Sequence, residues 1–386
     1  MLDPTQAPEV TAKDLVRIME LGEPMQIVDV RAPARVLAGR VDTVPENRFH
    51  NLVGSQLIKL ASLEGTAIDP QIPIAVVCGK GKDSSVIASH LNNLGCDARS
   101  LAGGMTAWMT LAVPRELAPP QSLDRLVQFD RIGKGALGYL LVSNGEALVI
   151  DPPRLFQPYA QAAESPGATI VAVADTHVHA DYISGARSMA ATLGVPYYLH
   201  PADSIYPYDG TAGRFDFEPL EDGDYIEFGT CNVRAMHTPG HTEGSLTFVI
   251  DEQAAFTGDF LFIASIGRPD LAGKVTEWTA LLWDSVVAAK QRLARETMIY
   301  PAHYRSDLER REDRGVGAPF GKLLAENEIL RINERDEFTS WVAGTAASFP
   351  DAYRRIKAIN VGLMVATELE AEELEIGRNE CALGAR

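Results

Sequence analysis

The chain is short of cysteine, histidine and basic charge, and each shortage removes a class of function. Four cysteines, Cys78, Cys96, Cys231 and Cys381, stand far apart without a Cys-x-x-Cys pair. That spacing excludes a disulfide framework and a structural zinc knuckle, and it predicts reduced thiols. Lysine and arginine number 35 against 52 aspartates and glutamates, a formal net charge of −17. Such a surface does not attract nucleic acid or anionic membrane, so neither is expected as a partner. No apolar run approaches the length needed to span a bilayer, and Met1-Leu2-Asp3-Pro4-Thr5-Gln6 lacks a basic segment followed by an apolar one. The expected location is the cytoplasm, with a small, locally captured molecule as substrate.

What is present is enough for two cores. The chain has 386 residues, of which 46% are apolar and 23% charged, and its glycines and prolines are spread out. That is the composition of an ordinary globular protein, and at this length two domains are expected.

In the first third, Thr11 can cap a helix carrying Leu15, Ile18 and Met19, and Gln26–Val30 reads as a strand. A second buried strand, Ile72–Val77, runs into Cys78-Gly79-Lys80-Gly81-Lys82-Asp83-Ser84, after which apolar residues recur with helical period to Gly95. Two glycines let backbone N–H groups turn inward, while Lys80, Lys82 and the helix N-terminus favour a thiolate. Cys78 is thus a candidate nucleophile, and Lys80 and Lys82 are candidates for holding an anionic substrate. The stretch Val113–Gln121 holds three prolines and no apolar period, and it reads as a linker.

The remainder carries short islands that each follow an apolar run: Thr176-His177-Val178-His179-Ala180-Asp181, Pro239-Gly240-His241, Thr257-Gly258-Asp259 and Pro301-Ala302-His303, with Arg268-Pro269-Asp270 beside the third. Four of the eight histidines fall in these islands. Incidental histidines have no reason to collect at strand ends, whereas imidazoles with a carboxylate suit zinc or non-haem iron. Strand, ligand-type residue and helix in repetition describe a layered α/β fold whose loops build a site at one sheet edge. His200 and His237 read as structural. A helix is expected over Ile183–Leu193, another over Trp278–Arg295 and a third over Leu323–Glu334; the acidic run Thr367–Glu375 reads as a solvated helix or end without chemistry.

Two resemblances join these observations. Val28-Asp29-Val30-Arg31, Cys78 to Asp83, and Leu101-Ala102-Gly103-Gly104-Met105-Thr106-Ala107-Trp108 resemble the first strand, active-site loop and closing motif of the rhodanese domain. The likeness implies that Cys78 carries a sulfane sulfur as a persulfide and passes it to a thiol or to sulfite. Arg40 and Asp83 depart from the residues common in that family. The histidine and aspartate islands resemble the metallo-β-lactamase superfamily, with Tyr182 where the pattern has its third clustered histidine. That replacement implies one metal rather than two. Within the superfamily the resemblance is to the persulfide dioxygenases, which implies one Fe(II) per chain held by His177, His241 and Asp259. It places His179, Asp181, Tyr182, His303 and Tyr304 around those ligands, and makes Arg268 and Arg187 candidates for binding a substrate anion.

The expected architecture is therefore α/β: an N-terminal rhodanese-like α/β/α domain over 1–115, a linker over 116–124, and a metallo-β-lactamase αββα sandwich with a helical extension over 125–386. The expected reaction oxidises a low-molecular-weight persulfide, such as glutathione persulfide, with O2 to sulfite, and Cys78 exchanges sulfur with thiosulfate or sulfite. A homo-oligomer is expected from the habit of the superfamily. Two alternatives stay open at this point: a glyoxalase II-like zinc thioester hydrolase, and a sulfur-transfer protein whose metal domain is inactive.

Overall fold

The computed structural model describes residues 7–165, 167–345 and 350–383. It divides into two compact units, one comprising chiefly residues up to Val113 and the other chiefly Pro114–Asp130 and Gly135–Glu375 with Asn379 onward.

The first unit is built on five parallel strands in the order Glu9–Val10, Ala98–Leu101, Ile74–Val77, Gln26–Asp29 and Phe49–Asn51. Gln26–Asp29 and Ile74–Val77 are buried at every position, as expected of parallel strands covered on both faces. One apolar cluster, with Leu15, Ile27, Ala75, Met105 and Trp108, fills one face. A second, with Val28, Val76, Ile87 and Leu91, fills the other. The second strand of the expected pair begins at Ile74, two residues later than its apolar run suggests, and Cys78 follows its last residue.

The second unit stacks two sheets. One has seven strands in the order Glu218–Pro219, Tyr197–Leu199, Thr169–Ala174, Glu146–Ile150, Ala136–Ser143, Arg125–Arg131 and Val113–Leu117. The other has six: Tyr225–Phe228, Cys231–His237, Leu246–Ile250, Ala254–Gly258, Met298–Pro301 and Ala318–Pro319. Leu141, Leu148 and Ile150 of the first sheet meet Val233, Phe248 and Phe256 of the second in one cluster. Full burial of each such phenylalanine stabilises by roughly 2–3 kcal/mol. The outer face of the six-stranded sheet, through Met236, Val249, Ala255 and Ile299, packs on Leu282 and Val286 of the helix Val275–Arg292. This is the expected αββα layering.

Several local readings are corrected. Val113–Leu117, read as linker, is the edge strand of the seven-stranded sheet; an edge position tolerates Pro114 because one side of the strand has no ladder to complete. The helix expected over Leu323–Glu334 is Phe320–Glu326 followed by a short 3₁₀ turn at Ile329–Arg331, where the Asn327 side chain caps inward to the carbonyl of Ser265. The helix expected from Ile183 starts at Ala186, because the Ile183 and Ser184 amides bond to Glu375 and Asn360 instead. Among the described residues no helix is long and apolar enough to cross a membrane.

Candidate metal centre

Four islands sit at strand ends on one edge of the sandwich. Thr169–Ala174 delivers His177, Cys231–His237 delivers His241, Ala254–Gly258 delivers Asp259, and Met298–Pro301 delivers His303. Gly258 adopts φ +53°, and a Cβ there would lie 2.4 Å from Thr176 Oγ1. Only glycine lets the Asp259 turn close against the His177 turn. Gly267 has the same function from the other side, since a Cβ would lie 1.7 Å from the Asp259 carbonyl and 3.1 Å from His241 Cβ.

His177, His241 and Asp259 are buried and present three donor atoms within 4.8 Å of one another. His241 Nε2 is 3.3 Å from Asp259 Oδ2, and His177 Nε2 is 3.6 Å from it. Donors bound at about 2.1 Å to one ion lie roughly 3.0 Å apart in adjacent octahedral positions and about 3.4 Å apart in a tetrahedron. These three atoms are also buried without hydrogen-bond partners, a costly state for protein alone and the expected one for metal ligands.

The second nitrogen of each histidine sets its tautomer. His241 Nδ1 faces the Arg268 carbonyl at 3.0 Å, and a carbonyl can only accept, so Nδ1 carries the proton. His177 Nδ1 lies 3.0 Å from Thr176 Oγ1, whose own proton goes to Asp151 Oδ2 at 2.8 Å; Nδ1 is again the donor. Both Nε2 atoms therefore keep a lone pair free for a metal, as ligation requires. Burial, foremost, lowers the basicity of both rings: His177 falls well below its ordinary value and His241 falls to about 4. Protons therefore compete weakly for the site near neutral pH.

His303 is held differently. Its Nδ1 donates to Asp259 Oδ1 at 2.6 Å and its Nε2 to Asp181 Oδ2 at 3.0 Å. Burial opposes a charge there, but Asp259 and Asp181 outweigh it and raise the imidazole to about 9. With both nitrogens donating, His303 orients the Asp259 carboxylate rather than offering a lone pair. Burial would likewise raise the Asp259 carboxyl, but the charge of His303 and its hydrogen bond hold it below its ordinary value. His179 turns its Nε2 to Asp151 Oδ1 at 3.2 Å and to the Tyr182 hydroxyl at 2.9 Å. Its ring stacks on Tyr182 with centroids 4.3 Å apart. Tyr182 thus fills the place of a clustered histidine and secures His179.

Two further expected site residues direct their polar side-chain atoms to groups other than the three donor residues. The Tyr304 hydroxyl donates to Asp130 at 2.9 Å and receives a bond from Arg310, and Tyr304 lines a cavity together with His303. The Arg268 guanidinium makes a two-point pair with Asp270 at 2.6 and 2.7 Å and also reaches the Glu380 carbonyl. It serves the site through its backbone oxygen on His241. Arg187 bonds the Ile359 carbonyl at 2.8 Å and stacks on Phe215, and His200 and His237 stack on each other at 4.1 Å.

Sequence reasoning missed four contributors. Asp203 is buried, and its carboxylate accepts from Val178 N at 2.7 Å, Thr242 Oγ1 at 2.8 Å and Gly244 N at 2.8 Å. It ties the His177 turn to the His241 turn. Asp151 accepts from Thr176 and His179 as described, at a non-glycine φ of +53°. Asn360 donates to the His179 and Tyr182 carbonyls, both at 2.9 Å. Cys381 places its sulfur within 4.8 Å of donor atoms of Asp259 and His303, held there by the Arg268 N–H to its carbonyl at 2.9 Å. Residues on either side of the acidic run Thr367–Glu375 therefore wall the centre. The positive φ at buried Asp151 sets that residue apart, but only coordinates show it.

In the first unit, Cys78 is buried, and its sulfur receives the Gly81 N–H at 3.1 Å and lies 3.2 Å from the Ser84 hydroxyl. Lys80 and Lys82 are exposed. Gly104, at φ +59°, packs so closely that a Cβ would lie 2.5 Å from the Cys78 carbonyl, which explains a Gly-Gly pair behind the loop. Asp29 and Arg31 form a buried two-point ion pair, with Arg31 also bonding the Gly39 carbonyl at 2.6 Å.

Comparison with known proteins places both units. Residues 133–303 match the metallo-beta-lactamase superfamily and residues 11–111 the rhodanese-like domain. An uncharacterized protein of Mycobacterium leprae is 33% identical over 41% of this chain and 80% of its own length. The mitochondrial persulfide dioxygenase ETHE1 of Bos taurus is 34% identical over 41% of this chain and 59% of its own. An uncharacterized protein of Mycobacterium tuberculosis is 41% identical over 27% of this chain. The chain spans 57% of that last relative's length. Among solved structures, a metallo-beta-lactamase from Staphylococcus aureus has a TM-score of 0.55 at 27% identity, covering 63% of this chain and 74% of that one. ETHE1 from Myxococcus xanthus has the same fold, with a TM-score of 0.50 at 21% identity over 64% of this chain and 99% of that one.

Proposed function

We propose that this chain, which belongs to the metallo-beta-lactamase superfamily and also carries a rhodanese-like domain, is a persulfide dioxygenase with a sulfurtransferase module. One observation carries the reading: two imidazole Nε2 atoms and one carboxylate oxygen converge without partners, while His303, a further histidine of the pattern, is tied to two carboxylates. A site of two histidines and one carboxylate leaves coordination positions open for two further ligands. The similarity to mitochondrial ETHE1 supports the same assignment.

His177, His241 and Asp259 would hold Fe(II), whose chemistry is to bring a persulfide anion and dioxygen together and ease the spin barrier between them. In the overall reaction the persulfide S–S bond breaks, the sulfane sulfur gives four electrons to dioxygen, and water supplies the third oxygen of sulfite. The thiol keeps one proton and two are released. His303, charged and fixed between Asp259 and Asp181, keeps Asp259 ionised and oriented. A cavity of about 330 Å³ lined by Phe262, Ser265, His303, Arg305, Ala382 and Leu383 gives a small thiol access beside His303. Cys78, with the Gly81 N–H to stabilise its sulfur, would take or return the sulfane sulfur.

Anaerobic loading with iron followed by an oxygen electrode trace with glutathione persulfide tests this. About one iron per chain, with oxygen uptake matched by sulfite, is expected. Two zinc ions per chain with thioester hydrolysis would replace this reading with a glyoxalase II-like one.

A further inference from the structure

Lys357 is fully buried in the helix Ala352–Asn360, which lies outside the residues matched to either family. Its ammonium has no hydrogen-bond partner. A buried charge in that state is strongly unfavourable unless something supplies acceptors. It lines a cavity of about 40 Å³ together with Val178, Asp203, Thr242, Glu243 and Trp278. Val178 and Thr242 are the chain neighbours of His177 and His241, so this pocket adjoins the metal centre through the ligand turns.

The other polar groups around the pocket are already engaged. Asp203 accepts from Val178, Thr242 and Gly244. Glu243 pairs with Lys274 at 2.8 Å and accepts from the Trp278 indole at 3.1 Å. Burial lowers the Lys357 pKa, and Asp203 foremost among the acidic groups opposes that. Tyr206, Pro207 and Gly210 also line the pocket, and Gly210 is exposed, so the pocket has a way out to solvent. The volume suits a group of a few atoms, and it excludes a whole thiol.

We propose that Lys357 forms the floor of an anion subsite beside the metal centre, where its ammonium holds a small oxyanion of the reaction. This rests on the dioxygenase reading for its two sources, the carboxylate of the thiol that carries the sulfur and the sulfite that leaves. Both offer oxygen acceptors to one ammonium.

The test is a fluorescence titration of the full metal-loaded chain without oxygen, reading Trp278, whose ring lies 5.9 Å from the Lys357 Nζ. The probes are sulfite, glutathione and glutathione with both carboxylates esterified, and Trp278→Phe identifies the signal. Wild-type protein should saturate with sulfite or with glutathione, and Lys357→Met should raise the half-saturation at least tenfold. Saturation by sulfite alone assigns the product; saturation by glutathione but not by its ester assigns the carboxylate. Lys357→Met should keep or raise the melting temperature, since it removes a buried charge that has no hydrogen-bond partner, and Lys357→Gln serves if Met misfolds. Titrations unaltered by either substitution, or a pocket that holds only water and never saturates, would overturn the subsite. Because no turnover is involved, a null oxygen trace would sink the dioxygenase reading and leave this result standing.

Discussion

Asp203→Asn separates a site that is merely near from a site that is braced. In the native protein Asp203 Oδ2 accepts from Val178 N and Thr242 Oγ1, and Oδ1 accepts from Gly244 N. The least damaging placement of an asparagine keeps its oxygen at Oδ2 and turns its NH2 toward the Gly244 N–H. One buried backbone donor then loses its acceptor, at a cost of about 1–3 kcal/mol. The other two bonds lose their charge assistance, roughly 1 kcal/mol each. The total is about 3–5 kcal/mol. Part of it appears as global stability, and part loosens the His177 turn from the His241 turn, for which outer partners of ligands typically matter about 10- to 100-fold in metal affinity. Urea denaturation of the metal-free protein, together with competition against a chromogenic chelator, measures both parts. Glu252→Gln, at an exposed surface ion pair, is the control. If Asp203→Asn binds metal within twofold of wild type, the bridge between the two turns does not organise the centre.

Gly267→Ala should abolish metal retention, because the added Cβ would fall 1.7 Å from the Asp259 carbonyl; overpacking of this kind costs roughly 1–3 kcal/mol or more, and metal analysis after desalting reads it. His303 is raised from 6.5 to about 9, so the stability it contributes is full below about pH 6.5 and is lost as pH rises through 9, a change of about 3 kcal/mol by linkage. Denaturation of metal-free protein between pH 6 and 10 should show that loss in wild type and a flatter profile in His303→Gln; parallel profiles refute the charged bridge. Cys78→Ser should end formation of a persulfide adduct in the first unit, read as loss of a 32 Da mass increment (about the mass of one sulfur atom), while oxygen uptake with supplied glutathione persulfide stays within about twofold. Complete loss of that uptake would show that the two sites act in series.

The legible part of this protein is local. Cys78 and its loop are seven consecutive residues opening a helix, and each ligand island directly follows a strand, so apolar runs point to both before any contact is known. The closing Gly103-Gly104 pair and the Tyr182 replacement are readable in the same way. Prolines misled at Val113–Leu117, where an edge strand leaves one side of its ladder open and can accommodate Pro114. Arg268 and Tyr304 occupy suggestive positions in the sequence, yet only side-chain direction decides what a group touches, and theirs run to Asp270 and Asp130.

By itself the chain's sequence determined two α/β modules, a cysteine loop, and a histidine and aspartate set suited to metal binding. Tertiary structure alone decided which histidines keep a lone pair for that metal. It also decided that Asp203 joins two ligand turns, and that Asn360, Lys357 and Cys381 come from the C-terminal region to the same place. The physical reason is that turn chemistry and hydrophobic period act over a few residues and leave a pattern in the sequence. Hydrogen bonds and burial between positions tens to hundreds of residues apart leave none.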